Sequence, residues 1–211
     1  ISGQNGATGG TNVETGTLRT IGANRLSDYS LSVSAGATVE LGGNENVGLL
    51  FGSGTVALGA NALTIGSDLA FGTNAFTGTI SGTGSLVKFG TGTQSLLTAN
   101  TYTGGTLVCG GTLVIANSAA LGTGLVRVDS DNATGFTRLL LRNGVNLPNA
   151  LSLSYAPSGD GNGAIMVLGR NSIATLSGAI TIQPTLPSGN VGGATFTGPV
   201  GGIGYLNLTG A

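Results

Sequence analysis

The sequence predicts an all-β fold, a right-handed parallel β-helix (β-solenoid) running as one continuous segment through residues 1–211. Three observations predict it: glycine supplies 41 of 211 residues, the chain resembles itself over long intervals, and short alternating apolar runs recur throughout. Hydrophobic residues make up 40% of the chain and charged residues only 7%, against about 25% charged in ordinary soluble domains. A chain so apolar and so poor in charge does not stay expanded in water, which excludes disorder. Its polar surface must come from Thr, Ser, Asn and backbone, a supply that suits strands and turns better than helices. The glycines follow no Gly-X-Y period, which excludes collagen. They fall at short, uneven intervals between apolar runs, as turn residues do.

The repeat redirects the fold assignment. Residues 7–18, ATGGTNVETGTL, align with residues 102–113, YTGGTLVCGGTL, at a shift of 95. Gly9 meets Gly104, Thr11 meets Thr106, Val13 meets Val108, and Gly16-Thr17-Leu18 meets Gly111-Thr112-Leu113. Residues 75–90 align with 195–210 at a shift of 120, pairing Phe76 with Phe196, Gly82 with Gly202 and Leu86 with Leu206. These shifts divide the chain into modules of about 1–95 and 96–211, and put Ile1 in the register of Leu96 and Ala211 in that of Thr91. They predict an excerpt of a longer array, or copies that stack end to end. Ile1 opens in mid-pattern, with neither an initiating methionine nor a signal peptide, as in a processed product or an excerpt.

Strands are read from period-2 alternation bounded by Gly, Asn, Ser or Asp. Leu31–Ser34, Thr38–Leu41, Thr55–Leu58, Ala62–Ile65, Gly84–Phe89, Thr112–Ile115, Leu125–Val128, Arg138–Leu141 and Ala150–Ser154 all qualify. No window keeps a helical period over three turns, and 23–26 and 118–121 offer one helical turn each at most. Strands this short, under a long internal period, fit coils whose inward residues stack on the next coil. At roughly 20–25 residues per coil, the chain makes about nine or ten coils and a rod about 45 Å long. An antiparallel sandwich would show hairpin dipeptides between matched strands; Asn5-Gly6 and Asn143-Gly144 are the two present, and neither is so flanked.

The segment from Gly82 to Val114, GTGSLVKFGTGTQSLLTANTYTGGTLVCGGTLV, carries Gly84-Ser85-Leu86, Lys88-Phe89-Gly90-Thr91-Gly92, Leu96-Leu97, Asn100 to Thr106 and Gly111-Thr112-Leu113. These pieces resemble the autotransporter-associated β-strand repeat. The likeness is close over 82–114, fair over 9–81 and loose over 129–211, and the first copy has Gly6-Ala7 where Thr-Tyr is usual. The resemblance implies passengers of type V secreted proteins and very large bacterial surface proteins, built as right-handed β-helices. It implies a location outside the cell, at the bacterial outer surface, and no reaction.

The residues themselves offer little chemistry. There is no histidine, so Ser-His-Asp and Cys-His arrangements are impossible. The acids Glu14, Asp28, Glu40, Glu45, Asp68, Asp129, Asp131 and Asp160 are mostly isolated, whereas glycoside hydrolysis needs paired carboxylates. Asp129 and Asp131 are the closest pair, but an EF-hand calcium loop starting at Asp129 would want Gly and Glu where Thr134 and Leu140 stand; a solvated turn is the favoured reading. Residues 158–163 are Gly-rich without a following helix, which excludes a phosphate cradle. No catalytic, cofactor-binding or metal-binding residue is assigned.

Cys109 is the single cysteine, so no intrachain disulfide forms. It shares the register of Glu14, which predicts a solvent-facing thiol. Tyr29, Tyr102, Tyr155 and Tyr205 are too scattered for an aromatic stripe, and Tyr102 is expected to pack in the repeat turn. Thr-Gly-Thr at 15–17, 77–79 and 91–93 is too irregular for an ice-binding face. Asn132 and Asn207 match glycosylation sequons of the kind that arise by chance.

The net charge is −1 with no basic cluster, so nucleic-acid binding has no electrostatic footing, and no stretch of eighteen apolar residues forms a membrane span. The expected role is a non-enzymatic surface scaffold, stalk or filament segment that self-associates end to end. The alternative is an adhesin or glycan-binding module using loops 154–163 and 184–194.

Overall fold

The structure, a computed structural model, describes residues 9–66, 73–129, 137–154, 165–167, 173–183, 196–197 and 205–208. Among these residues every strand pairing is parallel. That is the ladder of a β-solenoid and excludes the antiparallel sandwich. No helix is assigned among the described residues.

The chain visits three walls in turn. The first wall is a nine-stranded sheet that includes Thr11–Val13, Ser30–Val33, Leu49–Gly52, Thr73–Phe76, Thr93–Leu96, Gly111–Ile115 and Thr137–Leu141. The second wall begins as Thr17–Arg19, Thr38–Glu40, Thr55–Ala57 and Thr79–Ser81, and resumes at Asn146–Leu147 as a separate sheet. The third wall runs through Glu45–Val47, Ala62–Ile65, Ser85–Lys88, Thr106–Val108, Val126–Val128, Leu151–Ser154 and Ile180–Gln183.

Alternation decides which side chains enter. In Thr38–Glu40 the middle residue, Val39, is buried between half-buried neighbours, and the same holds for Val56 and Ile80 on the following coils. Val39, Val56 and Ile80 therefore stack as one inward column of the second wall. On the first wall Phe76, Leu96, Ile115 and Leu141 form such a column, each fully buried. Each large apolar side chain so buried contributes roughly 1.5–3 kcal/mol, and these columns are the core.

The coils are unequal. Leu31 pairs with Leu50, nineteen residues on, whereas Ile115 pairs with Leu141, twenty-six on, and Ile165 with Phe196, thirty-one on. The later steps exceed the expected 20–25 residues because the extra length collects at one corner, between the third wall and the first. Gly48 alone separates Val47 from Leu49, whereas 155–164 separate Ser154 from Ile165.

The second wall is interrupted twice, at 97–105 and at 116–125. In the latter, residues 117–121 close a tight turn, with Ala120 N donating to Asn117 O at 3.1 Å. Residues 23–26 make no helical turn: Asn24 has φ 54°, and its N–H donates to Asn44 O on the next coil at 2.9 Å.

Candidate functional site

Polar side chains concentrate inside the solenoid where the second wall is interrupted. Asn100 is buried in the first interruption. Its Oδ1 accepts from Ile80 N at 2.7 Å and its Nδ2 donates to Ala120 O at 2.6 Å. One side chain thus reaches the coil on either side and satisfies the edge that strand Thr79–Ser81 would otherwise leave unpaired. Tyr102 is fully buried, with its hydroxyl 2.6 Å from Thr106 Oγ1. Burial pushes its phenol far above the ordinary range, while the Thr106 hydrogen bond pulls slightly the other way. This is the packing role the repeat turn predicts for it. Asn149 extends the pattern, its Nδ2 donating to Gly122 O at 3.2 Å and Gly124 O at 2.8 Å.

Lys88 occupies an inward column of the third wall between Ile65 and Val108 and is 2% exposed. Its Nζ donates to the carbonyls of Phe89, Gly90 and Gly110, at 2.6, 3.3 and 3.2 Å. Burial lowers its pKa to about 8, with the Cys109 thiol opposing that shift. Three donors meeting three carbonyls leave the ammonium saturated. The neighbouring turn needs glycine: a Cβ on Gly66 would collide with Phe89 O and press on Nζ at 3.0 Å, and its φ is 95°.

Gln94 lies beside it. Its Oε1 accepts from Leu50 N at 3.3 Å, and its Nε2 donates to Leu50 O at 3.0 Å, Asn74 O at 3.4 Å and Ser95 O at 3.1 Å. The strands Leu49–Gly52 and Thr73–Phe76 pair only at Gly52 and Phe76. The Gln94 amide supplies hydrogen bonds where that ladder is missing. The space between Lys88 and Gln94, lined also by Gly48, Asn74 and Thr93, has no room for a water-sized ligand.

The acids do not converge. Glu14 is exposed and accepts from Asn12 Nδ2 at 3.1 Å. Glu40 pairs with Arg19 at 2.6 Å, and Asp129 with Arg127 at 3.2 Å. Glu45 is buried, and its Oε2 accepts from Arg25 N at 2.7 Å and Leu26 N at 2.9 Å, the role of a strand edge. Among the described residues no group of three metal-ligating side chains occurs. Asp68, Asp131, Asp160, Tyr155 and Asn132 lie outside the described residues, as does nearly all of loops 154–163 and 184–194. Tyr29 is 52% exposed and stands apart from the buried Tyr102. Cys109 differs from its solvent-facing expectation: it is half-buried, its thiol donating to Lys88 O at 3.4 Å, whereas Glu14 is exposed.

Sequence reasoning passed over Gln94, and it placed Lys88 in the strand Gly84–Phe89 without assigning its side chain to the interior. Parity was the available signal, since Gln94 shares the inward parity of Leu96, and Lys88 that of Leu86. A column of outward threonines was also missed. Thr17, Thr38, Thr55 and Thr79 stand in one register across four coils, a regularity that unequal coil lengths hide. The adjacent column reads Arg19, Glu40, Ala57 and Ser81, so no Thr-x-Thr array forms.

Among the described residues, parallel coils around stacked apolar columns define the molecule as a β-solenoid segment. Residues 1–19 and 86–115 match the family model of the passenger-associated-transport-repeat. The chain is also similar to "Adhesin BmaC autotransporter" of Brucella suis biovar 1 (strain 1330), at 37% identity over 181 residues. That match covers 80% of this chain and 5% of the adhesin, so the chain spans about one twentieth of its relative's length. No solved structure matches. The chain belongs among autotransporter passenger repeats, which makes it part of a cell-surface or secreted protein. Among the described residues no helix is long and apolar enough to cross a membrane.

Proposed function

We propose that the chain is a non-enzymatic spacer segment of a surface passenger, a stiff solenoid length in an outer-membrane-associated protein that extends and presents what adjoins it. The observation that carries this reading is where the buried polar side chains go. Lys88, Gln94 and Asn100 bond to backbone of neighbouring coils, and none is aimed into an open cleft. A parallel coil also offers its backbone N–H and C=O groups along the axis, so coils of adjoining chain or of another copy can add. The modules 1–95 and 96–211 are then successive lengths of one array. Electron microscopy of the isolated 211-residue chain tests this. Stiff rods or filaments with an axial repeat of about 4.8 Å support it; irregular, flexible particles overturn it.

The adhesin reading is the second, favoured by the name of the relative and by one feature of the fold. The extra length of the later coils falls between strands of the third wall and strands of the first, which in the sequence are the segments 155–164 and 184–195. Glycan-array and cell-binding assays of the chain, with and without replacement of those segments by short Gly-Ser turns, decide it. Binding that vanishes with the replacement assigns the activity to those segments. Absence of binding by the intact chain leaves the spacer role.

A further inference from the structure

We infer that Lys88, Gln94 and Asn100 act together as a register lock, holding successive coils in one stacking order out of several that the repeats would otherwise allow. The chain contains near-copies of itself, 7–18 with 102–113 and 75–90 with 195–210. Its inward columns are close to interchangeable: the Lys88 column reads Val47, Ile65, Lys88, Val108, Val128 and Leu153. Apolar contact is non-directional, so an apolar column tolerates a skipped coil. If strand Ser85–Lys88 paired with Val126–Val128 instead of Thr106–Val108, Lys88 would meet Val128 in place of Val108, and Leu86 would meet Val126 in place of Thr106.

The three polar residues do not tolerate that exchange. Lys88 requires the Gly110 carbonyl, which only the adjacent coil brings within 3.2 Å. Gln94 reaches past Asn74 to both backbone groups of Leu50, 44 residues earlier in the chain. Asn100 requires Ile80 N on one side and Ala120 O on the other. A skipped coil takes the Gly110 carbonyl from Lys88, which keeps those of Phe89 and Gly90, and takes from the Gln94 and Asn100 amides the partners they have on other coils, a costly defect in a core. These contacts link four successive coils, and the three side chains that make them lie within the 86–115 match to the repeat model. On this reading the segment fixes coil order for its neighbours, whose alternation alone does not.

Cross-linking during refolding tests the lock in the full 211-residue chain with Cys109→Ser. Val87→Cys with Leu107→Cys reports the native neighbours, which are Cα partners. Val87→Cys with Arg127→Cys reports a skipped coil, because two strand spacings, about 9.6 Å, exceed disulfide reach. After oxidative refolding from denaturant, the skipped cross-link is expected to be at least about tenfold rarer than the native one. Lys88→Met combined with Gln94→Leu should raise the skipped product about tenfold or more, and each single variant by less. The control Ile65→Met, an apolar exchange in the same column, should leave the ratio unchanged. An unchanged ratio in the folded double variant overturns the inference, as does an equal rise in the control. If both single variants lose their β-sheet circular dichroism, the side chains serve folding itself rather than register, and the inference falls.

Discussion

Coils through 30–66 and coils through 93–128 enclose the same core with different second walls. In the first group, strands Thr38–Glu40 and Thr55–Ala57 pair directly, backbone to backbone. In the second, 97–105 and 116–125 hold no strand, and Asn100, Tyr102 and Asn149 take over. A backbone ladder works with any residue that fits the pleat. A side-chain bridge works only with an amide or hydroxyl of the right length at one position. The first group should therefore yield little to single substitutions, and the second a great deal.

Asn100→Leu gives the largest expected effect. It removes both bridges and leaves Ile80 N buried without an acceptor, which should cost about 2–4 kcal/mol of unfolding free energy. Ile80→Val, one coil earlier on an intact strand, should cost only about 1 kcal/mol. Chemical denaturation of the two variants side by side checks the contrast. Equal losses would mean that the bridge contributes no more than a methylene of packing.

Lys88 sharpens the comparison through pH. With its folded pKa near 8 and its ordinary value at 10.5, the two states bind protons equally below about pH 8, and this group adds no slope. Between about 8 and 10.5 the unfolded chain keeps a proton that the folded chain has released, so stability rises with pH across that window. The rise should approach roughly 3 kcal/mol. Lys88→Met should abolish that component, measured as the difference between the stability–pH curves of parent and variant. A parent curve that is flat or falling relative to Lys88→Met would show that the three carbonyls outweigh burial.

The same contrast explains what was legible in the sequence. The Asn100-to-Thr106 turn and the glycines around it are specified residue by residue, so they stand out as a motif, and Tyr102 packs where the motif places it. The strands of 30–66 show through alternation alone, which gives the wall but not the neighbour. The coil lengths were not legible, because extra residues at the corner between third and first walls leave alternation on either side untouched. Gln94 escaped notice because its partner, Leu50, lies two coils away, and nothing local announces a contact over 44 residues. Cys109 was misplaced because the Glu14 comparison assumes equal surroundings, whereas the Cys109 thiol turns to the Lys88 carbonyl on the preceding coil.

Tyr102→Phe removes one hydroxyl and leaves Thr106 Oγ1 buried without that partner, an expected loss of about 1–2 kcal/mol. Thr106→Val in the Tyr102→Phe background should recover part of it, since an apolar pair of similar shape has no donor left to satisfy. Failure of that recovery would mean that the ring, and not the hydroxyl, holds the interrupted wall together.

The smallest effect belongs to the polar contact that looks strongest on the outer surface. Arg19 and Glu40 meet at 2.6 Å across neighbouring strands of the second wall, with side chains 71% and 36% exposed. Water and salt screen such a pair, and ordering two long side chains offsets much of its attraction, so Arg19→Ala should cost no more than about 0.5 kcal/mol. The strands beneath are already joined through Thr17–Arg19 and Thr38–Glu40, so the pair joins nothing that the backbone has not joined. Urea denaturation at low and high salt separates the possibilities. A loss comparable to that of Tyr102→Phe would show that outward side chains also hold the three-strand coils, and the division between backbone-held and side-chain-held coils would not stand.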